Sequence, residues 1–104
     1  REDTMEIDLV KYLGDLLLHQ DDGLLIKLRI GDGLDKSKVD EICAVLSQLA
    51  IQWENDDKIS KEAVDYFIHI DPVMNATLNR YSENQQAEIL IALDTIMDKV
   101  RNCL

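Results

Sequence analysis

This chain is poor in the residues that break or staple a fold. Proline occurs once and glycine four times in 104 residues. No long flexible linker is therefore expected. There are two cysteines, Cys43 and Cys103, far apart and without a CxxC pair. That excludes a disulfide framework and favours reduced thiols in a reducing, cytoplasmic compartment. Purely apolar runs such as Ile89–Leu93 are far too short to span a bilayer. No basic segment leads into an apolar one near the start, so no signal peptide is expected. Met5 is the expected native start, with Arg1–Thr4 a non-native or processed remnant. Cations are also scarce. Lys and Arg number 11 against 21 Asp and Glu, a net charge of −10. Nucleic-acid affinity comes largely from cationic contacts to phosphates, so such a surface repels a polyanion. An anionic membrane is disfavoured for the same reason. A basic protein partner is favoured in both encounter and docking.

Motifs that carry chemistry are missing too. His19 and His69 have no second His or Cys at ligand spacing, which argues against zinc. Ser47 and Ser60 have no base at recognisable spacing, so a hydrolase triad has no support. The Ile-Gly-Asp-Gly-Leu-Asp run at 30–35 places Leu34 where a calcium loop needs an oxygen ligand, and its glycine spacing does not fit a phosphate loop. We read it as a turn that leads into a helix cap at Asp35. The chain is therefore read as a binding protein rather than an enzyme, without cofactor or metal.

What is present is helical rhythm. From Thr4 to about His19, Ile7, Val10, Leu13 and Leu17 recur at helical spacing, with Leu9 and Leu16 beside them. Asp3 and Glu6 form a candidate capping box. Asp35 to Trp53 is the clearest helix, with Val39, Ile42, Cys43, Leu46, Leu49, Ala50 and Trp53 in one stripe. Ser60 caps a third, turning Ala63, Val64, Phe67 and Ile68 inward. Asp71-Pro72 fits a fresh cap and first position, restarting the chain in a short helix marked by Val73, Met74, Leu78 and Tyr81. Ser82 with Gln85 opens the last helix, whose stripe is Ile89, Leu90, Leu93, Ile96, Met97 and Val100. Leu24–Ile30 alternates like a strand, yet Leu24, Leu25 and Leu28 also share one helical face. A strand would lack a good partner, so a short helix is preferred. The expectation is all-α: one domain over residues 1–104, a bundle or helical-hairpin stack of about five helices.

The surface is the remaining source of function. Trp53-Glu54-Asn55-Asp56-Asp57 joins the only tryptophan to three acids at a helix end. Trp anchors interfaces often, although Trp53 also continues the core stripe. A second acidic arc, Asp21, Asp22, Asp32 and Asp35, flanks the short helix. Lys27 and Arg29 lie between its two halves and can neutralise part of it. In size, charge and helical pattern over the whole chain, with its acidic WENDD and QDDG clusters, the sequence resembles the immunity proteins of bacterial toxin systems, including those of contact-dependent growth inhibition. The resemblance implies a cognate basic toxin domain, often a nuclease. The protein would be a monomer when free. It would cover the toxin's active site with Asp21, Asp22, Asp32, Asp35, Trp53, Glu54, Asp56 and Asp57. Two other classes remain open. A DNA mimic would need carboxylates spaced like phosphates, and Lys27, Arg29, Lys36 and Lys38 interrupt them. A structural or adaptor subunit would use Ile51 and Ile91, which lie off the stripes, as a partner groove.

Overall fold

A computed structural model describes residues 2–56 and 58–104, with side chains from Leu9 onward. Its helices are α1 (Glu2–Leu18), α2 (Leu24–Arg29), α3 (Lys36–Gln52), α4 (Lys61–Ala76) and α5 (Glu83–Cys103), with a 3-10 turn at Leu78–Arg80. Five α-helices and no strand occur among the described residues, in keeping with the expected all-α class.

Local chemistry starts each helix where a side-chain acceptor meets a free backbone donor. The Asp35 carboxylate accepts from the Lys38 amide at 3.1 Å. The Ser60 hydroxyl accepts from the Ala63 amide at 3.3 Å. Ser82 and Gln85 cap each other's backbone reciprocally, so two otherwise orphaned donors are satisfied. The box expected at Asp3 and Glu6, and the burial of Ile7, lie outside the residues whose side chains are described.

The ambiguous Leu24–Ile30 stretch is a helix through Arg29, with Leu24, Leu25 and Leu28 buried. Its end shows why the strand-like alternation misleads. The Asp32 amide donates to the Lys27 carbonyl at 2.9 Å, and the Gly31 amide donates to the Leu28 carbonyl at 3.3 Å. This paired closure needs a left-handed residue after the helix, and Gly31 supplies it with φ of 87°. Gly33, at φ 96°, turns the chain again toward the Asp35 cap.

Two expectations for α4 are corrected. The chain does not restart at Asp71-Pro72; Pro72 lies inside a continuous helix. A proline in a helix interior costs about 3 kcal/mol, through a lost hydrogen bond and a clash with the preceding turn. Ile70 and Met74, on either side of it, are both fully buried. Burying each is worth about 1.5–3 kcal/mol, so keeping the face continuous outweighs the break. Pro72 and Ile68, whose carbonyl it leaves without a donor, are both on the exposed face. The inward face is also rotated from the expected one. Ala63, Phe67, Ile70 and Met74 are buried, whereas Val64 and Ile68 face outward. In α5 Leu90 is exposed and Ala92 takes an inward place.

The helices pack as a ring. The α3 helix lies between α1 and α5, α4 packs on α5, and α2 wedges between α1 and α4. Directions follow from the contacts. Lys36 meets Glu88 at 3.4 Å, and the Cys103 thiol reaches the Leu46 carbonyl, so α3 and α5 run parallel. Tyr12 bonds Glu41, while Leu16 and His19 lie beside Lys38, so α1 runs against α3. Gly14 lies under the Tyr66 ring: a Cβ there would sit 2.6 Å from Cζ of Tyr66. The core is aliphatic, with one aromatic pair, Trp53 edge-on to Phe67 at 6.4 Å. The molecule measures 44 × 25 × 21 Å. No helix among the described residues is long and apolar enough to cross a membrane.

A candidate acidic docking face

The arc at the two ends of α2 is held together by cations within it. Lys27 Nζ lies 3.2 Å from Oδ2 of Asp35. Lys38 Nζ lies 3.3 Å from Oδ2 of Asp22, while the Lys38 amide donates to Asp35. Asp22, Lys38, Asp35 and Lys27 thus form one chain of opposite charges. The Asp35 carboxyl is held below its ordinary value, chiefly by the Lys38 amide and further by Lys27. Asp21 and Asp32 are exposed beside this network.

Packing of α1 on α3 adds acids to the arc. Asp15, Asp22 and Glu41 line one pocket of about 240 Å³ with Tyr12, Leu16, His19 and Lys38. The Tyr12 hydroxyl donates to Oε2 of Glu41 at 2.6 Å. Its pKa is raised, first by that bond and also by the charges of Glu41 and Asp15, as expected where carboxylates set the local potential. Tyr12 and Asp15 on α1 and His19 just past its end follow one another at i, i+3 and i+7, and Lys38 and Glu41 are three apart on α3. Those spacings were present in the sequence, but chain proximity alone did not join them to the arc. Asp15 and Glu41 are thus members that the sequence reading missed.

The loop that carries Asp32 and Asp35 is clamped from far along the chain. The Tyr81 hydroxyl donates to the Leu28 carbonyl at 2.7 Å and accepts from the Gly33 amide at 3.1 Å. Tyr81 was expected only as an apolar contact of a short helix. It instead follows the 3-10 turn and ties the Gly33 amide of the Gly-Asp-Gly loop to the Leu28 carbonyl at the end of α2.

The second acidic cluster is elsewhere. Glu54 and Asp56 are exposed just past the C-terminal end of α3. The arc lies at its start, and the 17 residues between span roughly 25 Å of helix. No single compact site joins the two clusters. Glu54 and Asp56 border an open groove of about 470 Å³ with Ala50, Ile59, Asn102 and Leu104. Asp57 lies outside the described residues. Trp53, grouped with these acids as a partner-facing residue, is only 3% exposed and packs in the core. It lines the same groove as Glu54 and Asp56, with almost none of its surface exposed.

The remaining chemical groups are quiet. Both cysteines are free, and burial raises their thiol pKa values, that of Cys103 to about 11. Such thiols are poor nucleophiles at neutral pH. No group of three or more His, Cys, Asp or Glu among the described residues is arranged to hold a metal ion. Comparison with protein-family models, curated proteins and solved structures finds no match for this chain.

Proposed function

We propose that the protein is an inhibitor that binds a basic protein domain, as an immunity protein binds a bacterial toxin, and that the loop end of the bundle is its docking face. The observation that carries this reading is the gathering of Asp15, Asp22 and Glu41 around one pocket beside exposed Asp21 and Asp32. Lys27 and Lys38 offset part of this charge, and several carboxylates still exceed them. Such a face steers a cationic partner and fixes its register, with association that weakens as salt rises. Where the partner is a nuclease, the carboxylates occupy positions its active site offers to phosphates. A DNA mimic fits less well, because Lys36 and Lys38 stand within the acids and form ion pairs there.

One observation favours a second reading, an adaptor subunit in a helical assembly. Ile51 and Ile91 are 70% and 67% exposed, and Ile91 borders a groove between α3 and α5. Affinity capture on the immobilised protein, at low and at high salt, separates the two. The inhibitor reading expects a basic protein that is captured at low salt, released at high salt, and lost when Asp15 and Glu41 are both changed to Lys. Salt-insensitive self-association, abolished by Ile91→Lys, would support the adaptor instead.

A further inference from the structure

One nitrogen at the docking face is given two incompatible tasks. Nδ1 of His19 lies 3.1 Å from the backbone amide of Asp21 and 3.2 Å from Oδ1 of Asp22. The amide is a donor and needs a lone pair on Nδ1. The carboxylate is an acceptor and needs a hydrogen there. A ring nitrogen offers one or the other.

We propose that His19 is a proton-operated switch of the acidic face, exchanging the Asp21 amide for the Asp22 carboxylate when its ring is protonated. In the neutral ring Nδ1 accepts from Asp21, the hydrogen sits on Nε2, and Asp22 is left to Lys38 and to solvent. In the protonated ring Nδ1 donates to Asp22, and the Asp21 amide loses its acceptor. From α1, Tyr12 and Asp15 face the same pocket; from the turn, Asp21 and Asp22; from α3, Lys38 and Glu41.

The consequence concerns the face itself. Protonation adds one positive charge among Asp15, Asp22 and Glu41 and frees the amide in the turn that leads into α2. Docking of a cationic partner weakens accordingly. That consequence rests on the reading of the face given above; the switch is a property of the free protein, so either can fail without the other.

His69 is an internal contrast. Its Nδ1 lies 2.6 Å from the Asp65 carbonyl oxygen, which can only accept. Its neutral ring must therefore carry the hydrogen on Nδ1. Long-range proton–nitrogen correlation spectra of the ¹⁵N-labelled protein, at alkaline pH, should show opposite tautomers, Nε2–H for His19 and Nδ1–H for His69. On acidification the Asp21 amide resonance should shift with the same midpoint as the His19 ring. In His19→Asn, whose Oδ1 takes the place of Nδ1, the side-chain oxygen still accepts that amide but does not titrate, so the shift at that midpoint should vanish. An Nδ1–H tautomer at His19 would overturn the proposal. So would an Asp21 amide that titrates unchanged in His19→Asn.

Discussion

Asp35 serves two elements with one carboxylate. One oxygen caps α3 through the Lys38 amide, and the other pairs with Lys27 from α2. Because its folded pKa is lowered, it adds stability that is fully present above the unfolded value and lost as pH falls through the folded one. Asp35→Asn keeps a capping oxygen but gives up the charge. A cap of this kind is worth about 1 kcal/mol and Asn fills it nearly as well as Asp, so the loss should come from the ion pair, roughly 0.5–1 kcal/mol at neutral pH. Urea denaturation should show that gap constant above the ordinary carboxylate range and closing only as pH falls below about 4, toward the lowered value of the folded carboxyl. A gap that stays constant there too would mean the charge contributes nothing. The cap was readable because donor and acceptor are three residues apart. Tyr81 was not, since its two partners lie about fifty residues back and its hydroxyl cannot be assigned to them without the fold.

At the scale of the element, α4 gives the clearest lesson. Asp-Pro has the chemistry of a helix start, and reading it so treats local preference as decisive. The buried line Ala63, Phe67, Ile70 and Met74 passes through the dipeptide and overrides it. In place of a cap, Asp71 accepts from the Asn75 side chain within the helix. A continuous helix predicts that Pro72→Ala is stabilising. It restores a donor for the Ile68 carbonyl and removes the ring clash, worth about 1–3 kcal/mol. A thermal melt measures it; a neutral or destabilising result would return α4 to two segments. The α3 and α5 helices were legible because their caps and stripes agree, α1 from its stripe alone, and α2 from the face of Leu24, Leu25 and Leu28. The exposed Val64, Ile68 and Leu90 were misassigned because each lies beside the buried line, where period alone does not set the edge of a face.

The whole molecule decides which acids act together. With α1 antiparallel and α5 parallel to α3, the start of α3, the end of α1 and the Gly-Asp-Gly loop meet at one end of the bundle. Glu54 and Asp56 are carried to the other. Chain clustering pointed to both groups, but only packing adds Asp15 and Glu41 to one and buries Trp53 in the groove of the other. We therefore propose one electrostatic docking face, at the loop end. Its most direct test is the association rate of a captured basic partner, followed by stopped flow over a range of salt concentrations. Asp22→Lys with Glu41→Lys should slow association at least tenfold at low salt and flatten its salt dependence, while Glu54→Lys with Asp56→Lys should change both far less. The reverse ranking, or equal effects from the two pairs, would contradict it.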